Sequence, residues 1–173
     1  ADEYVTAMKK LWTEPTATFH GKYVDFEGVT LYPQPYQKPH IRLWIGARSL
    51  AGGSQRPPVK FALKHADGCI HGLLRTPSEL GEMRKAFLST AKEQNRDVSN
   101  FDFCWASRIS IAKTSEEARK NIEWILQQPK MGWYAGAWWP VKERAAALNV
   151  QTAVVGTPSE ALKKVEEYVD AGM

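Results

Sequence analysis

Residues Cys69–Glu79, CIHGLLRTPSE, hold the transition on which the fold is read. Cys69-Ile70-His71-Gly72-Leu73 is a short apolar run introduced by the turn pair Asp67-Gly68, and it fits a buried strand. Thr76-Pro77-Ser78-Glu79 then starts a helix. The threonine hydroxyl accepts an orphan N–H, proline at the first helical position loses nothing, and the glutamate reaches back to close a capping box. Leu80, Met83, Phe87 and Ala91 follow at helical spacing. The same sign occurs twice more. Thr114-Ser115-Glu116-Glu117 follows the β-prone run Phe103–Ala112 and precedes Ala118, Ile122 and Ile125. Thr157-Pro158-Ser159-Glu160 follows Thr152–Val155 and precedes Leu162, Val165 and Val169. Strand, short loop and capped helix, repeated, predict an α/β fold with a parallel sheet.

Upstream, Ile41–Ala47 (IRLWIGA) is a nearly unbroken apolar run, as expected of a strand covered on both faces. A Gly-, Ser- and Arg-rich connection leads from it to Pro57-Pro58 and a helix whose inner face is Val59, Ala62, Leu63 and Ala66. Before it, Asp2–Trp12 has the spacing of an amphipathic helix stopped at Glu14-Pro15. Thr16–Tyr32 alternates aromatic and β-branched residues with polar ones, the pattern of a hairpin, and Pro33, Pro35 and Pro39 force an extended connection. Lys130–Trp139 (KMGWYAGAWW) breaks the rhythm and reads either as a contact face or as a flap over an apolar ligand.

The chain has 173 residues, 43% of them hydrophobic and 24% charged, which bounds it to one ordinary domain with its own core. A net charge of +4 with interspersed signs gives no nucleic-acid footprint. No apolar run approaches the roughly 18 residues of a membrane span. Cys69 and Cys104 read as buried free thiols of a reducing compartment, so a cytoplasmic location is expected. The four histidines are scattered, and no metal-ligand set, nucleophile elbow or useful carboxylate pair is visible. Binding chemistry is what remains. In a parallel sheet the connection after Gly46-Ala47 lies at the carboxyl end of its strand, where ligands bind. Its glycines permit close backbone approach, its serines offer hydroxyl donors, and Arg48 and Arg56 offer guanidinium forks, a set suited to an anion or equally to a surface loop. His71 and Gly72 end the next strand, where a histidine either faces a ligand or is a satisfied rim residue. Gly156-Thr157 either binds an anion or caps its helix, and capping is the stronger expectation.

Several short matches in order give the chain a family likeness. They are Leu11-Trp12, Phe19-His20-Gly21-Lys22-Tyr23, Gly28-Val29-Thr30-Leu31, Pro33-Gln34-Pro35, Gln37-Lys38-Pro39, Leu43-Trp44-Ile45-Gly46, Ala66-Asp67-Gly68 and Val155-Gly156-Thr157-Pro158. Together they resemble the bacterial luciferase-like monooxygenases, a family with flavin- and deazaflavin-dependent members. The resemblance implies a (β/α)8 TIM barrel with FMN or the deazaflavin coenzyme F-420 (F420) at the carboxyl ends of its strands. It implies that Gly46, Ala47, Arg48 and Ser49 hold the cofactor's phosphate or tail. Because the Arg48–Arg56 stretch is longer than the family's usual loop, Ser54 and Arg56 are candidates for the same contacts. It further implies that His71 and Gly72 line the cavity for a small-molecule substrate.

A complete barrel of this type takes about 250 residues. The expectation is therefore a single partial barrel domain over residues 1–173, roughly strands 5 to 7 with their helices. A hairpin insertion at 16–32 and an aromatic-rich insertion at 129–150 would complete it. The missing half of the barrel, or a second copy in a homo-oligomer (a dimer), is the expected partner. No catalytic residue is assigned, since in this family most acid/base candidates belong to the other half. The function expected is a flavin- or F420-dependent oxidoreductase or monooxygenase, the alternatives being a non-catalytic flavin-binding protein on a shortened barrel or an inactive fragment.

Overall fold

Three parallel strands form the centre of the fold in the computed structural model, which describes residues 1–47, 57–71, 75–127 and 151–173. An amino-terminal helix α1 (Asp2–Thr13) leads into a hairpin, β1 (Ala17–His20) and β2 (Asp25–Val29). Then come β3 (Trp44–Ala47), α2 (Pro57–His65), β4 (Gly68–His71), α3 (Pro77–Glu93) and β5 (Asp102–Trp105). β6 (Ile109–Ile111), α4 (Ser115–Gln127), β7 (Val154–Gly156) and α5 (Pro158–Asp170) complete the described elements.

Strands β3, β4 and β5 pair in parallel and in chain order, with Trp44, Gly68 and Asp102 opposite one another at one end and Ala47, His71 and Trp105 at the other. Parallel neighbours in sequence order, each reached through a helix, are the local geometry of a β/α barrel wall. β6 and β7 form a separate parallel pair.

Two expectations about strands change. The run Ile41–Ala47 is strand only from Trp44, because Arg42 and Leu43 are spent on Asp67: the Arg42 guanidinium donates to the Asp67 carbonyl and the Leu43 N–H to the Asp67 carboxylate. The run Phe103–Ala112 divides in two, since its first part pairs with β4 and its second with β7, and Ala106–Arg108 make the transfer.

The helix starts follow the sequence. Thr76 and Thr157 both cap through their side chains, with Glu79 and Glu160 closing reciprocal capping boxes. Thr114 accepts the Glu117 N–H in the same manner. The main core lies between the sheet and α2/α3: Val59, Ala62 and Leu63 meet Cys69, Phe87, Ala91 and Phe103. Phe87 packs edge-on to Phe103 with ring centroids 5.7 Å apart.

On α5 the expected inner stripe is overturned. Leu162, Val165 and Val169 are exposed, and the buried residues are Ala161 and Tyr168. Tyr168 wins the inward position because its ring stacks on Trp105 and its hydroxyl reaches backbone carbonyls. A second core of Leu80, Met83 and Tyr168 results. Of the thiols expected to be buried, Cys69 is and Cys104 is half-buried.

The hairpin β1–β2 is antiparallel, as the alternation implies, and α1 holds it by Glu3, whose Oε2 accepts the Tyr23 and Val24 N–H groups. The aromatic-rich segment 129–150 lies outside the described residues.

Candidate functional site

Side chains alternate across a strand, so each residue's neighbours tell which face of the sheet it occupies. Cys69 sits in the core under α2 and α3, and His71, two residues on, shares its face. The His71 ring is buried, with Nε2 3.4 Å from Cys69 Sγ. Burial pushes the Cys69 thiol up to about 12, and Cys104 adds to the shift, so this pair is not a thiolate nucleophile.

Ile70 takes the opposite face and is 39% exposed. Opposite it in register are Gly46 and Cys104. Gly46, Ile70 and Cys104 therefore make one row across three strands, one residue short of their carboxyl ends. A Cβ placed on Gly46 would meet nothing within 4 Å. Among the described residues nothing covers Gly46 and Ile70 on this apolar row, Cys104 is half-buried beside them, and there is room above the glycine for a flat group.

Two residues toward the amino ends, the same face carries Trp44, Gly68 and Asp102. The Trp44 indole lies across Gly68 and donates its Nε1–H to Asp102 Oδ2 at 3.0 Å. Gly68 is required here, since an added Cβ would fall 2.8 Å from the indole and from Asp102 Cβ. Arg42 adds an ion pair to the same carboxylate oxygen at 2.7 Å. The face thus has a polar, tied lower row and an open apolar upper row.

At the carboxyl ends the last row is Ala47, His71 and Trp105. The ladder runs on past it, with Ala106 N–H donating to the His71 carbonyl at 2.9 Å. Trp105 stacks on Tyr168 with centroids 3.4 Å apart and planes 10° apart. Its buried Nε1–H meets no acceptor among the described residues. Such a group costs about 1–3 kcal/mol, so packing on Tyr168 sets the ring's place and not hydrogen bonding. Arg108 follows at this end, and burial lowers its guanidinium pKa, the sign of a desolvated cation.

Of the residues expected from sequence to hold a cofactor, Gly46 and Ala47 are at the carboxyl end of β3. Arg48, Ser49, Ser54 and Arg56 lie outside the described residues, as does Gly72 beside His71. The sequence reading passed over Ile70, Cys104 and Arg108. The alternation within CIHG and DFCW carries a signal for the first two, but nearly every position in those runs is large or apolar, so one sequence does not say which face is covered. No group of His, Cys, Asp and Glu among the described residues could hold a metal ion. No described helix is long and apolar enough to cross a membrane.

The sequence profile described as luciferase-like monooxygenase matches residues 1–173. The FMNH(2)-dependent dimethylsulfone monooxygenase of Pseudomonas putida is 37% identical over 51 residues, which is 30% of this chain and 14% of that protein. The F420-dependent glucose-6-phosphate dehydrogenase 2 of Rhodococcus jostii (strain RHA1) is 28% identical over 188 aligned positions, 99% of this chain and 51% of that protein. Among solved structures, the monooxygenase RslO1 from Streptomyces bottropensis superposes with a TM-score of 0.71 at 21% identity, covering 98% of this chain and 50% of that one. The chain spans about half the length of the relatives it matches end to end.

Proposed function

Because the chain belongs to the luciferase-like monooxygenase family, we propose that the protein carrying it is a flavin- or deazaflavin-dependent oxidoreductase whose cofactor, FMN or F420, lies over the carboxyl ends of β3–β5. The barrel wall read from these three strands would close with strands supplied by residues outside this chain, or by a second copy. The single observation that carries the proposal is the apolar row Gly46–Ile70–Cys104 at that end of the sheet, open over Gly46 and Ile70 among the described residues.

The residues fit such a group. A flat tricyclic ring needs a shallow apolar floor, and Gly46 leaves that space open beside Ile70. An anionic phosphate or tail needs cations with backbone N–H or hydroxyl donors, and the candidates are Gly46, Ala47, Arg48, Ser49, Ser54 and Arg56, joined by Arg108. The bound cofactor would supply hydride transfer or activation of O₂. This chain's part is to bind, orient and exclude water: Ile70 and Cys104 wall the floor, and Trp44 tied to Asp102 closes it below. His71 ends β4, fixing the strand end through its carbonyl, which accepts from Ala106, and Gly72, next in sequence, stays a candidate with it for lining the substrate cavity.

Titrating the intact protein with FMN and with F420, followed by fluorescence, tests this proposal. Saturable binding of one of them is expected, weakened by the double substitution Arg48→Ala and Arg56→Ala. Binding of neither would sink it, and unchanged affinity in the double variant would remove the loop from the site. Cofactor bound without turnover of reductant across a panel of small aldehydes and alcohols would identify a flavin-binding protein instead.

A further inference from the structure

We infer that Tyr168 is a positioning residue: from α5 it ties the chain just beyond the carboxyl end of β4, at Arg75, to the chain just before β7, at Thr152. Its ring is buried, sandwiched between Trp105 at the end of β5 and the Leu80/Met83 surface of α3. Its hydroxyl lies 2.8 Å from the Arg75 carbonyl and 3.3 Å from the Thr152 carbonyl. Arg75 is where the chain returns after residues 72–74, just before the Thr76 cap of α3. Thr152 is where it returns after residues 128–150 and enters β7.

The Thr152 carbonyl also accepts from Ser107 Oγ at 3.0 Å, which links the same point to the β5–β6 transfer. The phenol thus bridges two sequence-distant carbonyls, and Ser107 joins them through Thr152; of these, Arg75 follows the β4 end over which the cofactor is proposed. A phenylalanine would fill the space and keep the stack, so the choice of tyrosine is explained by the two carbonyls. Burial raises the phenol to about 12, with Glu167 and Glu79 adding to the shift, so the hydroxyl stays a proton donor at any ordinary pH.

The functional consequence rests on the cofactor site proposed above, whereas the tie itself does not. Tyr168→Phe in the intact protein tests both. Amide hydrogen exchange should quicken at residues 75–76 and 152–153 more than in the core under α2 and α3, with a small fall in the global unfolding midpoint. Loss of one hydrogen bond corresponds to about fivefold, and that is the expected rise in cofactor Kd or substrate KM, with kcat held. Tyr168→Leu, which also loses the stack, should lower the global midpoint further. Unchanged exchange at both segments in the folded Phe variant would overturn the tie. Faster exchange with unaltered Kd, KM and kcat, in a wild-type protein that binds cofactor, would overturn its role in positioning the site. If the wild type binds neither FMN nor F420, the cofactor reading falls, while the exchange result still decides the tie.

Discussion

Individual backbone positions show how little freedom the carboxyl-end geometry leaves. Gly156, the last residue of β7, has φ +147, a region that L side chains rarely adopt. An added Cβ would fall 2.6 Å from Glu160 Oε2, the oxygen that accepts from the Thr157 N–H and from Ser115 Oγ. Gly156→Ala should therefore cost roughly 1–3 kcal/mol from backbone strain, with a further loss where Glu160 is displaced from its capping box. The midpoint of urea denaturation measures this. A change under about 0.5 kcal/mol, the size of an ordinary surface substitution, would mean that the strand end relaxes.

Among the elements, α1 is fastened by charge as much as by packing. Asp2, in its first turn, takes Lys64 Nζ at 2.6 Å on one oxygen and His65 Nε2 at 2.6 Å on the other. Lys9, two turns on, donates to the His65 carbonyl at 2.9 Å. The hydrogen bonds from Lys64 and then His65 hold the Asp2 carboxyl down at about 2, against an ordinary 3.8.

The folded pKa is the lower one, so the pairing contributes above the unfolded pKa and is lost as pH falls through the folded one. Docking of α1 on α2 should weaken between about pH 4 and pH 2, with a modest amplitude because Asp2 is well exposed and screened. Protection of α1 amides, each rate taken relative to that of an unstructured peptide at the same pH, should fall across that range in the native protein. In Asp2→Asn it should already be lowered at neutral pH and flat through the window. A parallel response in the two proteins would assign the acid sensitivity elsewhere.

For the whole molecule, the arrangement of the sheet makes two thiols report on two faces. Cys69 lies under the helices with its thiol raised to about 12. Cys104 is half-buried on the open face, its thiol raised first by burial and then by Asp102. Limiting maleimide should label Cys104 before Cys69, and the cofactor that binds should slow Cys104 labelling alone. Peptide mapping reads both. Labelling of Cys69 first, or cofactor protection of Cys69 without Cys104, would place the ligand on the wrong face.

Element order, the Thr-capped helix starts, the β/α rhythm and the family likeness were all legible along the chain, because caps, prolines and apolar spacing act within a few residues of themselves. What lay beyond sequence was facing. CIHG and DFCW are large or apolar at nearly every position, so only the helices packed on one side decide that His71 turns in beside Cys69 and that Ile70 and Cys104 line the open side. The last helix makes the same point: its Leu162/Val165/Val169 stripe has the right spacing, yet Tyr168 takes the interior. Its acceptor at Arg75 is 93 residues away in the chain, and no local pattern encodes a partner that far off. Among the described residues the sequence by itself determined the type and order of the elements, though not where β3 begins or that Phe103–Ala112 divides in two. Tertiary packing alone decided which side each segment shows to the site, because the free energy of facing depends on neighbours brought together only by folding.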